Sequence, residues 1–171
     1  MHSLQKLKRL AITGIALAAI FACKVQAVEQ VAPRVDTAPL QAQAQTWQEP
    51  NPLRGNAQAA AIGRQAFNQS CAVCHGQDAN GTRAPAPDLR RMGGRCNRIE
   101  DAALRQRCQG DADAFFIKSV RYGKQKFGIV HMPPWDGVIG PELAWALRSF
   151  VETAPKGSGI QSLAPTAAAT Q

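Results

Sequence analysis

Three stretches of the chain set apolar side chains at helical spacing. From Asn56 to about Asn68 an alanine-rich run puts Gly63 and Phe67 four residues apart, on one face. From Asp111 to Tyr122, Phe116 and Val120 share a face, Asp111 or Asp113 can cap the start, and Gly123 can end the helix. From Pro141 onward, Leu143, Ala146, Leu147 and Phe150 follow the i, i+3, i+4, i+7 stripe of a buried face. Pro141 suits a first helical turn, and Glu142 beside it opposes the helix dipole. A shorter helix is expected over Glu100–Arg107. Gly76–Gly94 and Gly123–Gly140 are rich in Gly and Pro and read as long loops. The pattern predicts an all-α domain over 56–154, with three main helices and a short one.

The ends read differently. Lys6, Lys8 and Arg9 precede a run from Leu10 to Ala22 whose only polar side chain is Thr13, and Val25-Gln26-Ala27 resembles a small-residue cleavage site. Residues 1–27 are therefore expected to be a signal peptide that exports the chain to the periplasm. The run is short of the about 20 apolar residues a membrane span needs, so no stable insertion of the mature chain is expected. Ile20-Phe21-Ala22-Cys23 offers an alternative, a lipid-bearing cysteine, with the bulky Phe21 against it. Residues 28–55 are rich in Ala, Gln and Pro and have no sustained period, which predicts an extended arm. Residues 155–171 are expected to form a flexible tail.

The chemistry sits at Cys71-Ala-Val-Cys74-His75. Two thiols at this spacing can add to the two vinyl groups of one porphyrin, and a histidine directly after the second thiol is placed to bind the iron. A zinc knuckle would need a second ligand pair at short spacing. A thioredoxin-like dithiol would need a βαβ setting, and the flanks show none. Setting aside residues 1–27 leaves Cys96 and Cys108 as the natural disulfide pair of an exported chain, closing a loop worth about 3 kcal/mol in the chain-entropy model. Two buried free thiols are the alternative.

The second axial position decides between electron transfer and ligand chemistry. Met92, His131 and Met132 are the candidates. Met132 is favoured, because Pro133 and Pro134 stiffen the loop behind it and a thioether leaves no open site. Ligation by His131 or Met92 stays an alternative, as does a Met132 that merely packs in the core. The remaining ring nitrogen of His75 needs an acceptor, for which the carbonyl of Pro87 or of Pro85 is well placed. Tyr122, Trp135 and the Arg83–Arg91 group are candidate partners for haem propionates, or else ordinary packed aromatics and surface arginines.

The order Cys71-Ala-Val-Cys74-His75, Pro87, Met132 resembles the single-haem class I cytochrome c family. The resemblance covers about 56–154. It implies a class I cytochrome c fold wrapped around one covalent haem c, and an electron carrier rather than an enzyme, with no catalytic residue. It also implies a Pro87 carbonyl that accepts from His75, a Leu89 that packs on the haem, and a contact of Gly63 and Phe67 with Trp145, Leu147 and Phe150. A narrower likeness is to the periplasmic c-550 group that takes electrons from quinoprotein (PQQ-dependent) alcohol dehydrogenases. It rests on Ala86-Pro87-Asp88-Leu89-Arg90, on the stretch from Asp113 to Gly123, on Met132-Pro133-Pro134-Trp135 and on the Cys96–Cys108 insertion. It implies such a dehydrogenase as donor, and an oxidase or another cytochrome as acceptor. The alternatives are a generic carrier for another respiratory donor, and a five-coordinate haem that binds peroxide or a gas.

Charge changes the picture little. The formal net charge of +8 includes Lys6, Lys8, Arg9 and Lys24, and without them it is about +4. The residual excess is local, with eleven Lys/Arg against five Asp/Glu between Arg83 and Lys126. No aromatics interleave with the arginines in the manner of a base-stacking surface, which argues against nucleic acid and for an acidic protein partner or a solvated face.

Overall fold

The computed structural model describes residues 30–48, 50–81 and 86–154. The expected leader 1–27, the tail 155–171, Arg83 and Pro85 lie outside them. The described chain forms helix α1 (Ala57–Ser70), a single turn α2 (Ala72–His75), a long helix α3 (Ala102–Tyr122), strands β1 (Lys124–Lys126) and β2 (Ile129–Met132), and helix α4 (Pro141–Thr153), with short 3-10 turns between. The all-α class holds, with one small antiparallel ribbon added.

The molecule is organised around the crossing of α1 and α4. Gly63 permits it: a Cβ built there would lie 2.0 Å from the Ala146 carbonyl oxygen. Only a bare backbone fits, and the two helices close on each other at that point. Phe67 and Phe150 then meet with ring centroids 5.3 Å apart. Asn56 caps α1, its side chain accepting from Ala59 N at 3.0 Å.

Two expectations are corrected. The helix over Glu100–Arg107 is not separate but forms the first turns of α3. Asp101 caps it by accepting from Leu104 N at 2.7 Å, and the helix runs through Gly110 without a break. An interior glycine costs only about 1 kcal/mol relative to alanine, less than the continued backbone hydrogen bonding returns. The stretch Gly123–Gly140 is likewise not all loop. Phe127 and Gly128 both take positive φ, 53° and 77°, giving the two-residue turn whose twist suits a hairpin. Lys126 then pairs with Ile129 and Gln125 with Val130, with a bulge before Lys124 and Met132.

The segment expected to be an extended arm also behaves differently over its described part. Leu40, Ala44 and Leu53 are buried in the same core as Trp145 and Phe150. The cause lies on α4, where every residue from Leu143 to Val151 is buried. Its predicted stripe faces one way, while Ala144, Trp145 and Val151 lie off that stripe and need a cover. The arm supplies it, and polar ties fix it in place. Trp145 Nε1 donates to the Thr46 carbonyl at 2.8 Å, Asn51 Nδ2 to Ser149 Oγ at 3.0 Å, and Ser149 Oγ to the Leu53 carbonyl at 3.0 Å.

Candidate functional site

The thiol pair grows directly out of α1. Cys71 N still donates to the Phe67 carbonyl at 2.8 Å, and Cys74 N and His75 N both donate to the Cys71 carbonyl, at 3.2 and 3.0 Å. This single turn puts Cys71 and Cys74 at i, i+3, on one side of the backbone. Both are free thiols; Cys74 is exposed, and burial pushes the inward Cys71 thiol up to about 12, with Cys74 beside it adding to the shift. Gly76, at φ 75°, stops the turn immediately after His75.

The next loop is folded back so that Pro87 meets His75. Gly81 N donates to the His75 carbonyl at 2.8 Å. A Cβ on Gly81 would lie 2.6 Å from Asp88 N, so a glycine lets the two limbs of the loop touch. Asp88 holds the far limb, accepting from Arg90 N at 3.0 Å and from the Arg90 guanidinium at 2.8 and 2.9 Å. That guanidinium keeps the Asp88 carboxyl below the usual carboxylate range. Asp78 pins the near limb to α1 through Arg64 (2.8 and 3.0 Å) and Asn68, and the Arg64 contact likewise lowers its carboxyl. These pairs offset the left-handed backbone of Asp78, φ 53°.

The result is a His75 Nδ1 that lies 3.3 Å from the Pro87 carbonyl oxygen. A carbonyl can only accept, so Nδ1 carries the proton and Nε2 keeps its lone pair. Burial lowers the imidazole pKa, against the raising effect of the Pro87 bond, and favours the neutral form. Two free thiols on one helical turn, followed by a neutral imidazole with an open Nε2, form a donor set that fits a thioether-bound haem. They do not fit zinc. Cys96 and Cys108 are joined in a disulfide, with Cα atoms 5.5 Å apart, and no group of three His, Cys, Asp or Glu among the described residues is arranged for a metal.

The chain matches the family model "Cytochrome C oxidase, cbb3-type, subunit III" over residues 58–151. It is also 34% identical to "Cytochrome c550" of Pseudomonas aeruginosa over 123 residues, which cover 70% of this chain and 74% of that one. The chain belongs to the c-type cytochrome family. Within it, the likeness is to the c550 type, and the family's members carry electrons by means of haem c. No solved structure matches the chain. Among the described residues of this cytochrome no helix is long and apolar enough to cross a membrane.

The other residues nominated from sequence fall around one core. Cys71, Leu89, Met92 and Met132 are partly buried against the cluster that contains Phe67, Trp135 and Phe150. Met132 ends β2 over Gly123, where a Cβ would come within 2.3 Å of the Met132 carbonyl oxygen. His131, in the bulge beside it, is exposed. Met92 instead lines a cavity of about 210 Å³ with Arg54, Gly93 and Glu152. Trp135 is buried, its N donating to the Val120 carbonyl at 2.9 Å, while Tyr122 is exposed under the Arg121 guanidinium.

Sequence reasoning missed a buried charge network. Asp113 is fully buried and accepts from Arg54 Nη2 (2.8 Å to each oxygen), Arg148 Nε (2.8 Å) and Asn51 N (3.0 Å). Arg148, also fully buried, lies 3.0 Å through Nη2 from Glu152, an ion pair without hydrogen-bond alignment. Glu152 in turn accepts from Arg54 at 2.6 Å. The usable signal was Arg148 itself, a lone charge between Leu147 and Phe150 of an apolar helix.

Proposed function

We propose that this cytochrome is a periplasmic single-haem electron carrier. Cys71 and Cys74 tether haem c, His75 and Met132 are its axial ligands, and a quinoprotein alcohol dehydrogenase is its donor. The acceptor is a terminal oxidase or another cytochrome. The observation that carries the reading is the His75 imidazole, oriented by the Pro87 carbonyl with Nε2 left as a donor, directly behind two unpaired thiols. When bound, the haem supplies a one-electron couple. The chain's own part is to hold that couple still. The Pro87 contact fixes the tautomer and tilt of His75, and the Asp78 and Asp88 ion pairs hold the loop that delivers Pro87. Met132, seated on β2 against the core, supplies the thioether. A haem held by both His75 and Met132 would keep no iron position open for a substrate. Leu89, packed against the core that contains Trp135, would join it in giving a bound haem apolar walls.

Intact mass of protein matured in a host able to attach haem should exceed the polypeptide by one haem. Met132→Ala should lose the weak far-red absorption band of methionine–iron ligation, while Met92→Ala should keep it; the reverse result replaces the ligand. Reduction by a quinoprotein alcohol dehydrogenase, compared with reduction by a quinol-oxidising complex, tests the donor. A protein served only by the latter is a general respiratory carrier.

A further inference from the structure

The β1–β2 ribbon takes no part in the contacts that hold His75. It rises from Gly123 and returns to Met132, and from Lys124 to His131 every residue is exposed. Its tip is Phe127, 90% exposed and in left-handed backbone, a place ordinarily given to Asn, Asp or Gly. Ile129 and Val130 on β2 are exposed as well, as are Phe115 and Tyr122 on α3. A short ribbon carrying this much uncovered apolar surface is poorly explained by the stability of the free chain.

The charge on the ribbon itself has one sign, Lys124 and Lys126 with no Asp or Glu, and Lys118 adds to it from α3, while Arg121 is paired with Asp136 at 3.2 Å. Lys124 Nζ sits 4.2 Å from the Phe115 ring centroid and Lys126 Nζ 5.1 Å from that of Phe127. The cations thus lie on the aromatics themselves. Like charge disfavours a second copy of this chain as occupant. What complements the surface is an apolar cleft rimmed by carboxylates.

We propose that the ribbon is a docking element. Phe127 enters an apolar cleft of a redox-partner protein, and Lys124 and Lys126 pair with acidic residues at its rim. The inference rests on the reading of Met132 as an iron ligand, since β2 ends on that residue and a partner holding the ribbon is held beside the iron.

Stopped-flow rates of the purified holoprotein test it, with a quinoprotein alcohol dehydrogenase as donor in one arm and oxidase-containing membranes as acceptor in the other. Phe127→Ser is expected to lower the second-order rate in at least one arm about tenfold, the scale of a truncated aromatic anchor. Lys124→Glu with Lys126→Glu should lower the same rate at low salt and flatten its dependence on ionic strength. In Phe127→Ser, reduction by ascorbate and the optical spectrum should not change. Unchanged rates in both arms for Phe127→Ser overturn the proposal. So does an altered spectrum or ascorbate rate for Phe127→Ser, because the ring would then be covering the porphyrin. A wild type that reacts with the oxidase but not the dehydrogenase removes the proposed donor and leaves the docking site to be judged in the oxidase arm. One that reacts with neither overturns the carrier reading and the docking site together.

Discussion

The buried charges set the strictest conditions on single residues. Asp113 neutralises two arginines, one of them without solvent, so removing it leaves Arg54 and the buried Arg148 to share the single carboxylate of Glu152. Asp113→Ala is expected to cost about 3–5 kcal/mol, read as a lower urea midpoint. Replacing Arg148 and Asp113 together by apolar residues of similar volume should cost less than Asp113→Ala alone, because Arg54 and Glu152 then remain as one balanced pair. The Arg64–Asp78 pair is exposed and contributes less. Its carboxyl titrates below the ordinary carboxylate range. The contribution is therefore whole at neutral pH and is lost as pH falls through that lowered value. Arg64→Ala should destabilise by about 0.5 kcal/mol at pH 7, a gap that closes in acid unfolding below the ordinary carboxylate range.

At the scale of elements, the decisive contact is Gly63 against Ala146. A methyl group there has nowhere to go except into backbone, so Gly63→Ala should force the helices apart and cost about 3 kcal/mol. The check is thermal unfolding of the holoprotein. Helical spacing put Gly63 with Phe67 on one face and Leu147 with Phe150 on another, and it was the family resemblance that implied their crossing. The turn Cys71–His75 was legible too, because its chemistry is written in adjacent residues, whereas Pro87, twelve positions on, was one of two candidate acceptors until the resemblance singled it out. The ribbon was not legible. Its turn is Phe-Gly rather than Asn-Gly, and only the left-handed backbone of Phe127 identifies it. Nor was the continuity of α3, where Gly110 and Asp111 imitate a boundary that tertiary contacts override. The Leu40 and Leu53 contacts had no local signature, because a cover follows the shape of what lies beneath and carries no period of its own.

At the scale of the molecule, one crosslink and one covering segment complement a modest core. The Cys96–Cys108 bridge closes a loop of sequence separation 12, from a 3-10 turn to the body of α3. Cys96→Ser with Cys108→Ser should lower stability by about 3 kcal/mol and leave the haem spectrum in place, since neither cysteine lies near His75 in the chain. Loss of the spectrum instead would mean that the bridge also orders the haem-binding loop.

The beginning of the described chain has a bearing on where the protein can work. Ser70 Oγ donates to the Val31 carbonyl at 2.8 Å, and Arg34 N donates to the Gln69 side chain at 2.8 Å, so the polypeptide enters the fold beside Cys71. Whatever precedes Val31 is leashed at that spot. A lipid at Cys23 would stand eight residues before Val31, at most about 28 Å away at full extension. The Cys71–His75 turn of a form anchored by that lipid would graze the bilayer and meet only neighbours embedded there, whereas a form cut at Ala27 would be free to roam between distant donors and acceptors.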